Sequence, residues 1–276
     1  MAHSSRRSFL SSALYSPLVV APGLFPFQTP TPPVPGATFP TQEPEVVREV
    51  VGVSHNNLAR LKELVDRRPT LANASWDWGF GDWESALGAA SHVGNREIAR
   101  YLLERGARPT IFSAAMLGQL AVVRAHIEAQ PGIQRTKGPH GIPLLAHATA
   151  GGAEAAAVVE YLKSVGDAGL RVENRPLPAE DRERLLGPYV FGPGATDRLD
   201  VGVTRDGVLL SVTRPGGSAR NLIHLGNLEF SPVGAELVRL QFAVTTSETT
   251  LTVLDPEVVL VARATRRAGV PPRRRP

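Results

Sequence analysis

The first half of the chain repeats a pattern in which apolar residues recur every three or four positions. Between residues 86 and 107, a run of small and apolar residues ends at Gly94-Asn95, and an amphipathic run that begins at Arg96 ends before Gly106. This spacing predicts two helices joined by a tight turn. Similar runs follow residue 54, residue 113 and residue 141, so the sequence predicts consecutive helix pairs.

The turn glycines of these pairs indicate a repeat with one shortened unit. Gly94, Gly118 and Gly151 lie 24 and 33 residues apart, and 33 residues is the ankyrin period. Residues 86–107, ALGAASHVGNREIARYLLERGA, resemble the ankyrin repeat, whose helices carry TPLHxAA and EIVKLLLxxGA. The resemblance covers about residues 44–168 and implies a stack that binds a partner without chemistry of its own. An irregular helical bundle is the alternative.

Residue size supports close packing of the predicted pairs. The first helices are rich in alanine, which allows neighbouring helices to approach closely, while leucine, isoleucine and valine of the second helices fill the space between layers. The alanines expected at these contacts are Ala89, Ala90, Ala114, Ala115, Ala146 and Ala148.

From Pro176 the helical period gives way to alternation of apolar and polar residues. The alternating positions include Leu199, Val201, Val203, Leu210, Val212, Leu251 and Val253. Turn dipeptides separate these runs at Asp206-Gly207, Gly216-Gly217 and Gly226-Asn227. About seven short strands predict a small antiparallel barrel or sandwich. The predicted fold class is therefore multidomain, α then β, with a linker at residues 169–184.

The second half resembles the small lipocalin-like domain that follows some serine hydrolases of the β-lactamase-like class. The matching residues are Leu186-Gly187-Pro188-Tyr189, Asp206-Gly207-Val208-Leu209, Phe230-Ser231, Phe242 and residues 259–263. The resemblance implies a barrel over residues 185–264. The hydrolase domain is missing, and neither S-x-x-K nor G-x-S-x-G occurs in the sequence. No catalytic residue is therefore expected.

The N-terminus predicts export. Residues 5–10, SRRSFL, resemble the twin-arginine export motif, and the apolar stretch that follows is too short to span a membrane. We expect a signal peptide at residues 1–21, a Pro-rich spacer at 22–43, a location in the bacterial periplasm and no membrane span in the mature chain. A basic disordered tail is the alternative. Residues 265–276 are expected to form a basic disordered tail at the other end.

The net charge of +4 comes from the ends of the chain. Seven arginines belong to the predicted signal and tail, and without them 23 basic side chains face 26 acidic ones. A nucleic-acid-binding domain needs its basic residues on a folded face, so no nucleic-acid partner is expected. The chain has no cysteine, which excludes disulfides and thiolate metal ligands.

All three tryptophans lie within eight residues, on a predicted loop between the first two helix pairs. Aromatic side chains on such a loop can bind a protein partner, because they bury a large area at low entropic cost. The predicted partner-binding residues are Trp76, Asp77, Trp78, Phe80, Asp82 and Trp83. An aromatic plug that seals the first repeat is the alternative, and Asp82 could instead cap the helix that begins near Ser85.

The positions of the histidines in the sequence suggest no metal centre and no catalytic triad. His55, His92, His126 and His147 fall on or near predicted helices, where a histidine usually donates to neighbouring backbone; His140 is expected in solvent, and His224 is isolated in the barrel. The chain contains no H-E-x-x-H motif, so we expect no metal and no cofactor. The sequence favours an exported, non-enzymatic protein-interaction module. The alternative is a carrier or sensor that binds a small apolar molecule in the barrel.

Overall fold

The computed structural model describes residues 38–265. The predicted twin-arginine signal, most of the Pro-rich spacer and the basic tail after residue 265 lie outside these residues.

The described helices form four consecutive pairs followed by a single helix. They are α1 (Pro44–Val53), α2 (Leu58–Arg67), α3 (Ala86–His92), α4 (Arg96–Glu104), α5 (Ile111–Met116), α6 (Leu120–Ala129), α7 (Leu144–Ala150), α8 (Ala156–Val165) and α9 (Ala179–Leu185). Apart from α1, which precedes the first predicted run, the helices of these pairs occur where the apolar spacing predicts them. The last helix, α9, lies mostly within the segment predicted as a linker.

Helix starts and turns have local causes. Asn57 and Asn95 cap α2 and α4, each accepting a hydrogen bond from the backbone N–H three residues on. Gly94 and Gly118 both have φ +76°, and a Cβ at Gly94 would lie 2.1 Å from the carbonyl oxygen of Ala150. Glycine is required there both for the backbone conformation and for the close approach of α7.

Small residues bring the helix pairs together, as predicted. Ala89, Ala90, Ala114, Ala115 and Ala148 are buried, whereas Ala146 is partly exposed. The Arg96 guanidinium joins the third and fourth pairs to α4, because Nη1 donates to Met116 O (2.6 Å) and Nη2 donates to Leu117 O (2.9 Å) and to Glu154 Oε2 (2.7 Å). These bonds satisfy carbonyls at the end of α5 that have no partner within their own helix.

A short antiparallel hairpin lies between α2 and α3. Its strands are β1 (Ser75–Asp77) and β2 (Trp83–Ser85), and Trp76 pairs with Glu84 in the register. Residues 78–82 form the turn, in which Gly79, Phe80 and Gly81 all have positive φ. This hairpin contains the aromatic residues that were predicted to bind a partner.

The second half is a closed eight-stranded antiparallel barrel in the order β10-β3-β4-β5-β6-β7-β8-β9. Its strands are β3 (Gly187–Val190), β4 (Arg198–Val203), β5 (Leu210–Thr213), β6 (Arg220–Gly226), β7 (Glu229–Pro232), β8 (Arg239–Val244), β9 (Glu248–Asp255) and β10 (Glu257–Thr265). The predicted turns at Asp206-Gly207, Gly216-Gly217 and Gly226-Asn227 all separate strands. The barrel interior is filled by aliphatic side chains together with Tyr189, Phe230 and Phe242.

Side chains of the helical half contact the barrel at several points. Phe80, in the hairpin turn, packs against the buried residues of the barrel. Asp82 Oδ2 lies 2.7 Å from Arg220 Nη1 on β6, and Lys137 Nζ lies 2.5 Å from Glu236 Oε1. The hairpin thus connects the two halves through one apolar and one charged contact.

No described helix is both long enough and apolar enough to cross a membrane.

The fold predicts a pH-dependent stability that originates at His147. This ring is fully buried on α7, and burial lowers the pKa of His147 to about 4, although the nearby Pro143 carbonyl opposes that shift. The ring stays neutral in the folded chain, while the unfolded chain binds a proton below about pH 6.5. Stability is therefore complete above pH 6.5 and falls as the pH decreases toward 4.

We expect His147→Asn to remove this dependence while keeping a donor for Pro143 O. Between pH 7 and pH 4.5, the free energy of unfolding of the parent should fall by about 2–3 kcal/mol more than that of the variant. Urea denaturation at the two pH values measures the difference. If the free energy of unfolding of the parent and that of the variant changed equally with pH, His147 would not be the source of the pH dependence.

Candidate metal centre

Strand β2 and Asp82, the turn residue that precedes it, place two acidic residues on one face of the hairpin and an aromatic residue on the other. Successive side chains of a strand point to opposite faces. Asp82 and Glu84 are accordingly 2% and 0% exposed, whereas Trp83 between them is 64% exposed. Two carboxylates are thus buried side by side, and each needs a compensating partner.

Two histidines reach Glu84 from equivalent positions in the first two helix pairs. His55 follows α1 and His92 ends α3, and both are preceded by a serine whose hydroxyl donates to the carbonyl four residues earlier. Equivalent positions of neighbouring pairs stack side by side, so the Nε2 atoms of His55 and His92 lie 3.1 Å apart.

The third histidine, His140, comes from the loop before α7. It belongs to a short 3₁₀ turn, Pro139–Gly141, where His140 has φ 59°. Left-handed backbone is uncommon for a residue with a side chain and marks a position that its surroundings hold. The surroundings here are Asp82, whose Oδ1 accepts the His140 backbone N–H at 2.8 Å.

The four side chains converge on a common point. Glu84 Oε1 lies 2.9 Å from His92 Nε2, 3.3 Å from His140 Nε2 and 3.7 Å from His55 Nε2. All four candidate ligand atoms lie within 4.8 Å of one another. Despite these short distances, Glu84 Oε1 is buried and has no hydrogen-bond partner among the described residues. The ring nitrogens therefore lie close to Glu84 Oε1 without the geometry of a hydrogen bond, and a protonated ring at these distances forms an ion pair with the carboxylate.

Outer hydrogen bonds fix the orientation of these side chains. His55 Nδ1 lies 2.9 Å from Gly52 O, and His140 Nδ1 lies 2.7 Å from Asp82 Oδ2. Trp78 Nε1 donates to the second carboxylate oxygen of Glu84 at 2.7 Å. Each of these contacts uses the atom that faces away from the common point. A carbonyl or carboxylate on the far nitrogen of a histidine is the usual outer shell of a metal ligand.

The buried carboxylates of the cluster and the histidines beside them shift one another's pKa values. Burial by itself raises the pKa of Glu84, but His140 and His92 outweigh it and hold the pKa at about 2. The Asp82 carboxylate, followed by that of Glu84, raises the pKa of His140 to about 9. The pKa of Asp82 is lowered, because contacts with His140 and Arg220 exceed the opposing effect of burial. Both carboxylates are therefore anionic at neutral pH.

The structure separates the six residues that were predicted to bind a partner. Trp76 and Trp78 are half-buried against the core of the first helix pairs, and Phe80 contacts the barrel core. Asp77 Oδ1 accepts the Gly79 N–H inside the turn. Trp83 is the member of the set that is largely exposed. Asp82 is not a helix cap; Ser85 caps α3.

Sequence reasoning assigned the histidines separately and so missed their cluster. The expected backbone contacts exist for His55 and His147. The expectation of a solvated His140 is wrong, because Asp82 and Glu84 hold its ring. A usable signal was present: Ser-His occurs at residues 54–55 and again at 91–92, at matching points of two predicted pairs.

Comparison with known proteins gives no relative: no protein-family model matches the sequence, and no curated protein matches it. The ankyrin, twin-arginine and lipocalin-like resemblances therefore stay predictions.

Asp82 offers a direct test of the cluster's contribution to stability. We expect Asp82→Asn to lower the free energy of unfolding by about 3 kcal/mol, because it leaves the largely buried Arg220 guanidinium without its anion and leaves His140 with Glu84 alone. Chemical denaturation measures the loss.

Asp77→Asn is the matched control. An asparagine at residue 77 can still accept the Gly79 N–H, so the expected change is below about 0.5 kcal/mol. Equal losses for the two variants would mean that the Asp82 ion pairs do not stabilise the fold.

Proposed function

We propose that this protein binds one divalent transition-metal ion, with Zn²⁺ as the best fit. The proposed ligands are the Nε2 atoms of His55, His92 and His140 and the Oε1 atom of Glu84. The observation that carries the proposal is the buried Glu84 oxygen, which has three imidazole nitrogens within 3.7 Å and no hydrogen bond among the described residues. A cation at the common point would satisfy this oxygen and would replace the contact between the Nε2 atoms of His55 and His92.

The chemistry of the donors supports a zinc-class ion. Imidazole nitrogen and carboxylate oxygen are ligands of Zn²⁺ and neighbouring transition metals, whereas Ca²⁺ and Mg²⁺ prefer oxygen alone. Bonds of about 2.0–2.1 Å in a tetrahedron place neighbouring ligand atoms about 3.3 Å apart. The distances from Glu84 Oε1 to the three nitrogens, 2.9–3.7 Å, bracket that value.

Four protein ligands favour a non-catalytic metal. A structural zinc is held by four side chains, whereas a catalytic zinc keeps one position for water or substrate. The proposed set supplies the four ligands of a tetrahedral shell, with a small inward movement of the atoms that lie up to 4.8 Å apart. We therefore retain the non-enzymatic interpretation, in which the ion stabilises the region where two helix pairs, the hairpin and the His140 turn meet.

On the ankyrin and twin-arginine resemblances of the sequence, we further propose that the protein is exported and binds a protein partner through ankyrin-like repeats. A specific observation favours the hairpin as its contact surface. Trp83 is 64% exposed and borders an open groove of about 390 Å³ whose lining includes Phe112 and Lys137. An exposed tryptophan beside a groove is typical of a protein-binding surface. In this proposal the metal holds the hairpin that presents Trp83.

Metal binding can be measured on the full chain after treatment with a chelator. We expect isothermal titration with Zn²⁺ to give one site per chain, and bound Zn²⁺ to raise the melting temperature. His92→Ala and Glu84→Gln should each weaken binding by about a hundredfold or more, because each removes one of four ligands. Bound Co²⁺ should give the visible spectrum of a four-coordinate ion.

His126→Ala is the control, since His126 is exposed on α6 away from the cluster. Its titration should match that of the parent chain. Zinc binding that survives His92→Ala and Glu84→Gln would place the metal elsewhere. A parent chain that binds no zinc would contradict the proposal itself.

The contact role of Trp83 is tested by Trp83→Ala. An exposed side chain contributes little to stability, so the melting temperature should change by less than about 3 °C. Capture of a partner from a periplasmic fraction should fall at least tenfold, which corresponds to a loss of more than about 1.4 kcal/mol of binding free energy. Capture of the same proteins at an unchanged level would argue against this surface.

A further inference from the structure

We propose that the barrel carries a second binding site, which takes a small hydroxy-substituted organic acid. The site is a cavity of about 220 Å³ at one end of the barrel, beneath the segment that leads into α9. Its principal lining residues are Leu177, Arg182, Leu210, Leu222, His224 and Phe230. None of them belongs to the metal cluster, so this site is independent of the proposed metal function.

The segment at residues 174–176 covers this end of the barrel. The backbone N–H of Arg175 donates to the carbonyl of His224 at 2.9 Å, and the backbone N–H of His224 donates to the side-chain oxygen of Asn174 at 2.9 Å. These bonds tie the segment to β6. This wall of the cavity, which is partly open to solvent, is therefore fixed structure rather than a free loop.

His224 contributes a buried polar atom without a partner. Only 7% of its surface is exposed. Its Nδ1 atom lies 3.1 Å from both the Arg175 and the Pro176 carbonyl oxygens, which requires a proton on Nδ1. In the neutral ring, Nε2 then presents a lone pair, and it has no hydrogen-bond partner among the described residues. A donor in the cavity would satisfy it.

Arg182 contributes the complementary group. One of its terminal nitrogens donates to Gly207 O at 3.0 Å, which anchors the guanidinium. Its Nε–H is buried and has no acceptor among the described residues. Arg175 also lines the cavity, and the described lining includes no aspartate or glutamate. The cavity therefore favours an anion that accepts from Arg182.

The other residues that line the cavity determine the size and polarity of the rest of the ligand. Leu210, Leu222 and Phe230 are almost fully buried and supply an apolar surface. A dry cavity of about 150 Å³ accepts benzene, so about 220 Å³ fits a ring with a carboxylate and a hydroxyl, about ten heavy atoms in all. The carboxylate would accept from Arg182 Nε, and the hydroxyl would donate to His224 Nε2.

The three hydroxybenzoate isomers are suitable probes, because they differ only in the spacing of the two polar groups. In titration calorimetry on the full chain, at least one isomer should bind saturably. It should bind about tenfold more tightly than benzoate, which lacks the hydroxyl, and than benzyl alcohol, which lacks the carboxylate. Phosphate has no apolar body and should not compete.

Two variants assign the contacts. Arg182→Met should weaken binding of the preferred isomer about tenfold or more, while Arg184→Met, the same change at an exposed position of the same helix, should not. His224→Phe should abolish the preference for hydroxybenzoate over benzoate. The proposal is overturned if no isomer binds, if phosphate competes equally, or if Arg182→Met binds as tightly as Arg184→Met.

Discussion

Asp82 and Glu84, the two carboxylates on either side of Trp83 in the hairpin, are both buried, and the surrounding elements are packed to compensate their charges. Asp82, the last residue of the hairpin turn, and Glu84, on β2, both point inward, while Trp83 between them points outward. Anions removed from water are tolerated only where cations and hydrogen-bond donors surround them. The surrounding groups come from the turn after α1, from α3, from the His140 turn and from barrel strand β6. The hairpin therefore contacts four other parts of the chain.

Asp82 and Glu84 are compensated in different ways. Asp82 is fully engaged: it accepts from the His140 backbone and ring and pairs with Arg220 of the barrel. In Glu84, Oε2 accepts a hydrogen bond from Trp78. Oε1 lies among three ring nitrogens but accepts no hydrogen bond among the described residues. Asp82 is therefore an ordinary buried ion-pair partner, whereas Glu84 is the carboxylate that we propose as a metal ligand. Asp82 is also the physical link between the proposed metal site and the barrel, since its carboxylate orients a ligand and holds Arg220.

The sequence predicts the elements of this fold better than it predicts the site. Periodicity locates the helix pairs, and turn dipeptides such as Asp206-Gly207 locate strand ends, because both depend on local backbone preferences. The metal cluster depends on long-range packing: His140 meets Glu84 only once α3 and the loop before α7 are in place. Alternation assigns Trp83 to one face of the hairpin and Asp82 and Glu84 to the other, but it does not determine which face is buried. Burial of the acidic face depends on the groups that pack against it, among them Arg220 and the three histidines.

Zinc K-edge X-ray absorption of the zinc-loaded protein reports the ligands of the ion itself and so tests whether Glu84 and the three histidines bind it. We expect four nitrogen or oxygen neighbours at about 2.0–2.1 Å, no sulfur neighbour, and the outer-shell scattering of three imidazole rings. A six-coordinate oxygen shell without imidazole scattering would contradict the account, because the ion would then be bound outside the cluster formed by Glu84 and the three histidines.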